Sequence, residues 1–239
     1  MLISSIFKNV KCININNYNK DVKIKFISSN SKLIRRNSIF VTNFYKKIKQ
    51  KYIKEAIKKG AVAILTNKII KNINIPQFVV KNINSNLTKI LNKLNKKAPN
   101  NIIGITGTNG KTSVVWIVSH ILKLCNYQVT SYGTLGLYKN LKKVSDSSLT
   151  TPEREELHQL AFSSLSKYNS EFVFEVSSHG ISKRRIRDFP INIAAITNLS
   201  QDHLDFHKTF INYKNTKFKL FKKYLLNNGI AILNDNIKN

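Results

Sequence analysis

The segment Asn101–Ser113, NIIGITGTNGKTS, decides how the rest of the chain is read. NIIGIT has the short β-branched character of a buried strand, and SVVWIVSHILKLC, which follows the loop, is helical. Between them, Gly104, Gly107 and Gly110 place three of the chain's eight glycines within a short stretch. Glycines let backbone N–H groups close around phosphate oxygens, and the N-terminus of the following helix adds positive potential. Lys111 can reach terminal phosphates, and the Thr112 hydroxyl can ligate Mg²⁺. Strict Walker spacing would put its first glycine where Ile105 stands, so Gly107-Thr108-Asn109-Gly110-Lys111-Thr112 reads as a variant phosphate loop. An ordinary Gly turn capping a helix does not account for the strand, the helix and the Lys-Thr pair together.

Outward from the loop, strands alternate with helices. EREELHQLAFSSLSKY (153–168) is helical, EFVFEV (171–176) and NIAAIT (192–197) are strands, TFINYKNTKFKLFKKYLL (209–226) is a helix and IAILN (230–234) a strand. This pattern predicts a parallel sheet covered on both faces, with ligands at the carboxyl ends of its strands. Upstream, VKIKFIS, SIFVT, AVAILT and QFVVK read as strands of a smaller α/β unit. KKIKQKYIKEAIKKG has Ile48, Tyr52, Ile53, Ala56 and Ile57 at helical spacing, and SNLTKILNKLNKK is a second helix. The polar stretch NKKAPNN around Pro99 is the linker. The expected organisation is α/β throughout, with an N-terminal domain over 1–98 and a P-loop-type parallel-sheet domain over 99–239.

The 239 residues carry a formal charge of +28. Counting residues gives 34 Lys but only 6 Arg, beside 31 Asn. Lys, Asn and Ile share A/T-rich codons, and Arg, the residue best suited to phosphate and base recognition, is scarce. The charge therefore does not point to a specific nucleic-acid partner. No apolar run approaches the roughly 18–20 residues of a membrane-spanning helix. Cys12 and Cys125 match no metal spacing and read as reduced thiols of a cytoplasmic protein.

The acidic side is more informative. Of 12 Asp and Glu, only Asp21 and Glu55 precede residue 146, and four of five His (His158, His179, His203, His207) share that later region. Glu175 ends a strand, where a carboxylate suits Mg²⁺; a surface glutamate at a strand end is the plain alternative. Ser177 and Ser178 follow and read equally as helix caps, and Arg185, within KRRIRD, reads equally as a solvated residue. After the next strand come Asp202, His203, Asp205 and His207, spaced as in metal-ligand clusters. On the following helix, Phe210, Tyr213, Leu220, Phe221 and Tyr224 all lie within about 60° of Lys217, which places that lysine on the buried face. Snorkelling to the surface is one outcome. A lysine cation about 5 Å from Mg²⁺ would be repelled by roughly 6–7 kcal/mol at an effective dielectric of ~20, about five pKa units. Near a metal Lys217 is then neutral, displaced or converted to an anion such as a carbamate.

GITGTNGKTS, TTPE, EVSSHGI, TNLSQDHLDFH and the Tyr213-to-Lys217 spacing in YKNTK together resemble the Mur ligase family, in that family's order. They are most similar to the branch that adds the third amino acid to the peptidoglycan stem peptide. SNSKLIRRNSIFV and AIKKGAVAIL resemble its uridine-binding N-terminal domain more loosely. The resemblance implies an ATP-dependent amide ligase joining a diamino acid, diaminopimelate being the commoner, to UDP-MurNAc-L-Ala-D-Glu through an acyl phosphate. It implies that Gly107, Thr108, Asn109, Gly110, Lys111, Thr112 and Ser113 hold ATP. Thr112, Glu175, His203 and a carbamylated Lys217 would serve Mg²⁺. Lys111, Lys217, His203 and Glu175 would be the catalytic set. Thr150, Thr151, Ser177, Lys183 and Arg185 would hold the UDP-sugar dipeptide, with Ser31 near the uridine.

The sequence departs from the family at three places. Lys183 stands where Gln is common, Asn30-Ser31-Lys32 stands where Asp-Ser-Arg is usual, and TNFYKKIKQ (42–50) replaces a Gly- and Asp-containing loop. The chain stops at AILNDNIKN, so the central domain is expected to be incomplete and the C-terminal domain absent. A fragment that only binds ATP or UDP-sugar is therefore the alternative to an active ligase, and phosphate release discriminates the two.

Overall fold

The computed structural model describes residues 1–42, 50–94, 98–162 and 169–237. Contacts divide the chain into two compact units, Met1–Lys96 and Lys97–Asn239.

The first unit holds a five-stranded sheet. Its strands are β1 (Cys12–Asn16), β2 (Phe26–Ser28), β3 (Ser38–Val41), β4 (Ala61–Thr66) and β5 (Gln77–Val80), in the order β1-β5-β4-β3-β2. All neighbours are parallel except β1, which runs antiparallel along β5. The helices are α1 (Ile3–Phe7), α2 (Gln50–Lys58) and α3 (Ile83–Leu94). Both sheet faces are buried, so β3 and β4 read as unbroken apolar runs. Ile39, Val41, Ala63 and Leu65 pack with Ile3, Ile6, Leu87 and Ile90 of α1 and α3. Phe40 and Ile64 point the other way, onto Ile53 and Ala56 of α2. The predicted helix residue Ile48 and most of the 42–50 loop lie outside the described residues, as do 95–97 of the linker and 163–168 of the helix over 153–168. Tyr52, expected on the buried face of α2, is exposed.

The second unit is built on β6 (Asn101–Thr106), β7 (Gln128–Gly133), β8 (Gly136–Lys139), β9 (Lys142–Ser145), β10 (Ser170–Glu175), β11 (Ile191–Ile196) and β12 (Leu225–Ile232). Its order is β12-β11-β6-β10-β7-β8-β9. The first five are parallel, and β8 and β9 add an antiparallel hairpin, so the expected parallel sheet is mixed at one edge. The helices are α4 (Lys111–Leu124), α5 (Arg154–Phe162), α6 (Ser178–Ser182), α7 (Leu204–His207) and α8 (Phe210–Lys219). Val115 of α4 packs on Ile103, Ile105, Val129 and Val173 on one sheet face. Leu157 of α5 packs on Ile102, Phe172, Phe174 and Ala194 on the other.

The predicted helix over 209–226 is shorter than expected. It ends at Lys219 and passes into a π-helical turn, Leu220–Tyr224, which sets Leu220 and Tyr224 into the core. The strand expected over 230–234 accordingly begins earlier, with Leu225 already paired to Ile191.

Candidate active site

The phosphate loop sits at the carboxyl end of β6, and two backbone features shape it. Gly107 has φ +148°, and a Cβ there would collide with the Thr197 hydroxyl; Gly110 is left-handed at the start of α4. Residues just past β11 clamp the loop. Thr108 N–H donates to the Asn198 carbonyl at 3.1 Å, and Asn109 N–H to Asn198 Oδ1 at 3.0 Å. The Thr197 hydroxyl donates to the Asn109 carbonyl at 2.6 Å. Lys111 folds back, its Nζ donating at 2.9 Å to the carbonyls of both Gly107 and Thr108. Burial depresses its pKa, against the opposing pull of Glu175 and Asp202. Ser113 is exposed on the first turn of α4.

Glu175, only 1% exposed, ends β10 beside the loop. Its Oε1 accepts from the Thr112 hydroxyl at 2.9 Å and from Thr134 N–H at 2.7 Å, and its Oε2 from the Thr134 hydroxyl at 3.3 Å. Because Thr112 gives its proton to Glu175, its lone pairs stay free for a cation. A hydroxyl and a carboxylate together are hard oxygen donors of the kind Mg²⁺ prefers. Among the described residues no three His, Cys, Asp or Glu side chains converge as a ready-made metal cluster.

Thr108–Thr112, Glu175 and His203 share a cleft of about 460 Å³ with Thr150, Ser177, Lys183 and Arg185. Thr151 lies beneath it, fully buried. Its hydroxyl donates to the Glu175 carbonyl at 2.9 Å and accepts from Ser177 N–H at 2.8 Å. The Ser177 hydroxyl caps α6 by accepting from Gly180 N–H at 3.0 Å. Arg185 is buried too, bonded to the Thr151 carbonyl at 2.9 Å and paired with Glu153 at 3.0 Å. This is a braced arrangement rather than a solvated basic run.

His203 lines the cleft with a largely open side chain, 3.4 Å from Asp202 and with its ring 4.9 Å from that of His179. His207 is buried against Tyr213. Lys217 does not reach the cleft lining. It is 1% exposed behind the loop, and its Nζ donates to the Gly107 carbonyl at 2.7 Å and lies 4.6 Å from the Tyr213 ring centre. Burial, with Lys111 adding repulsion and Asp202 opposing, pushes its pKa down to about 7. The Tyr213 hydroxyl in turn contacts the Thr108 hydroxyl at 3.0 Å. Ser31 belongs to the first unit, where its hydroxyl donates to Glu55 at 2.7 Å. Sequence reading missed Thr134 and named His179 only as one of the clustered histidines, without a role; the signal for Thr134 was the Gly133-Thr134-Leu135-Gly136 turn at a strand's carboxyl end.

The family model for the Mur ligase middle domain matches residues 105–239. The chain belongs to the Mur ligase family. It is 37% identical over 228 residues to the UDP-N-acetylmuramoyl-L-alanyl-D-glutamate--2,6-diaminopimelate ligase of Rickettsia montanensis, covering 90% of this chain and 46% of that protein. The ligase of the same name from Clostridium tetani is 35% identical over 243 residues, covering 99% of this chain and 49% of the relative. A solved structure of such a diaminopimelate ligase superposes with a TM-score of 0.65 at 22% identity, over 99% of this chain and 47% of that one. A MurF ligase from Thermotoga maritima in complex with ADP gives 0.60 at 22% identity, over 87% of this chain and 45% of that one. These last two likenesses show the Mur ligase fold. The chain spans about half the length of the curated relatives it matches.

Proposed function

We propose that this chain carries the nucleotide site and part of the substrate site of an ATP-dependent ligase in peptidoglycan precursor synthesis. The reaction joins a diamino acid, meso-diaminopimelate, to UDP-MurNAc-L-Ala-D-Glu. The observation that carries this reading is the single cleft in which the phosphate loop and Glu175 face Thr150, Ser177, Lys183 and Arg185.

In this reading the side-chain carboxylate of the D-Glu residue attacks the γ-phosphorus of ATP, releasing ADP and leaving an acyl phosphate. The amine of the diamino acid then adds to the acyl carbon, phosphate departs, and the amine's proton is lost. Catalysis rests on positioning and on neutralising phosphate charge. Gly107–Ser113 hold the nucleotide phosphates through those backbone N–H groups that the Asn198 clamp on Thr108 and Asn109 does not occupy, and Lys111 leaves its own loop's carbonyls to meet them. Thr112, Glu175 and His203 of the cleft would hold Mg²⁺, which would supply charge neutralisation at the phosphates; a carbamylated Lys217 would join them only by leaving the Gly107 carbonyl behind the loop. A lysine held near pKa 7 by burial is substantially neutral, and a neutral amine adds CO₂ with loss of one proton to give the carbamate. Lys183 and Arg185 present positive charge to the anionic substrate, with Thr150, Thr151 and Ser177 completing that side and Ser31 serving the uridine end. The free thiols Cys12 and Cys125 suit a cytoplasmic setting, and no described helix is long and apolar enough to cross a membrane.

The test is a reconstitution with ATP, Mg²⁺, UDP-MurNAc-L-Ala-D-Glu and meso-diaminopimelate. Phosphate release that requires all four components, together with a tripeptide product identified by mass, is expected. Lysine substituting equally well would overturn the choice of diamino acid. Nucleotide binding without phosphate release would reduce this chain to a binding module.

A further inference from the structure

We propose that Thr134 is a positioning residue that fixes the Glu175 carboxylate and links it to Thr150; this rests on reading Glu175 as a cation ligand. β7 lies beside β10 with Tyr132 opposite Phe174, so Gly133 falls next to Glu175. A Cβ at Gly133 would overlap the Glu175 carboxylate. The bare backbone therefore lets the carboxylate lie across the turn and reach Thr134, which bonds it twice, through N–H at 2.7 Å and through the hydroxyl at 3.3 Å. Ser147 pins the same turn, its hydroxyl donating to the Thr134 carbonyl at 3.0 Å.

The donor inventory gives this arrangement direction. An ionised carboxylate only accepts, at about four lone-pair sites. On Glu175, Oε1 is taken by Thr134 N–H and Thr112 O–H, and Oε2 is half taken by Thr134 O–H. What remains open is one site on Oε2, and the Thr134 hydroxyl decides which way that site points. Thr134 has one hydroxyl proton, committed to Glu175, so its 3.3 Å contact with the Thr150 hydroxyl has Thr150 as donor. Thr150 then offers the cleft only lone pairs and accepts an N–H or O–H from whatever binds there.

Thr134→Val keeps the shape and the backbone N–H and removes only the hydroxyl. Thr134 is an exposed turn residue, so the substitution disturbs no core. The probe is Mn²⁺ binding to this chain in the presence of ADP, followed by electron paramagnetic resonance. Valine is expected to weaken Mn²⁺ about tenfold, Thr134→Ser to restore it to within about twofold, and metal-free ADP affinity to stay unchanged in both. A valine variant that binds Mn²⁺ like the parent overturns the proposal, as does a serine variant that fails to rescue. Should valine lower the melting temperature below the assay temperature, Thr134→Ala gives the same readout with a smaller side chain. Glu175→Gln separates the two levels. If it leaves Mn²⁺ binding intact, the reading of Glu175 fails. If it abolishes binding while Thr134→Val does not, only the role of Thr134 fails.

Discussion

The two units bury different kinds of polar group. In the first, the buried polar side chains among the described residues are all neutral: Ser28, Ser31, Ser38, Thr42, Thr66, Gln77 and Asn86. Gln77 is typical, fully buried with its amide exchanging two hydrogen bonds with the Ile70 backbone at 2.9 and 3.0 Å. The second unit buries Arg154, Glu155, His158, Glu171, Glu175, Arg185, His207 and Lys217. Some are well paired, such as Arg154 with Asp188 at 2.7 Å, whereas Lys217 has one carbonyl and a ring face. Removing charge from water costs free energy unless pairing restores it. Among the described residues the first unit is a scaffold that buries no charge, whereas the second bears that cost, in part at the cleft residues Glu175 and Arg185.

Core truncation in the scaffold should have the largest effect. Ile64 is fully buried between β4 and α2, and Ile64→Ala should cost about 2–5 kcal/mol in urea denaturation. ADP affinity of the folded protein should be unchanged, since no site residue of the second unit is altered. Next comes Lys217→Met, which fills similar volume without the buried amine and should raise stability by about 1–2 kcal/mol. A loss comparable to that of Ile64→Ala would erase the contrast between the units.

The pH dependence sharpens the comparison further, because all five histidines lie in the second unit. His158 is 1% exposed, both ring nitrogens lack a hydrogen-bond partner, and burial pushes its pKa down to about 4, with Arg154 adding repulsion. An unfolded histidine titrates near 6.5. Between about pH 6.5 and 4 the unfolded chain therefore takes up a proton that the folded chain refuses, and stability falls as pH drops through that window. His158→Leu should flatten this part of the profile, read from urea midpoints at several pH values. An unchanged slope would show that another group governs it. The smallest effect is expected from Ser31→Ala, which breaks a bond to the partly exposed Glu55 and should cost less than about 1 kcal/mol in the same assay.

Much of the second unit is legible in sequence because its strands are apolar runs and its loop is punctuated by glycine. Glu175 stands out as a carboxylate at the end of such a run, and Lys217 as a charge inside an apolar stripe. β7 was missed because QVTSYG buries Thr130 and Ser131 where apolar residues are expected. The β8–β9 hairpin was missed because its outer strand, KKVS, is wholly exposed and blunts the sheet edge with lysines. β1 escaped for a related reason: Ile13 and Ile15 face solvent, so CININ shows no inward apolar face. The glycine-flanked turn marks Thr134 only as a strand-end residue; its role depends on strand order, which sets β7 beside β10 across a long stretch of chain.

The Gly107 carbonyl, where Lys111 and Lys217 meet, has a bearing on biogenesis. The bond from Lys217 spans 110 residues, and the Asn198 clamp on Asn109 spans 89. Contacts of such separation form late, because closing a long loop costs chain entropy before the contact offsets it. The glycine-rich segment is fully translated by Ser113, yet its native shape must wait until the ribosome has delivered β11 and then α8. A nascent chain arrested before Lys217 would hold the loop's sequence without its resting geometry.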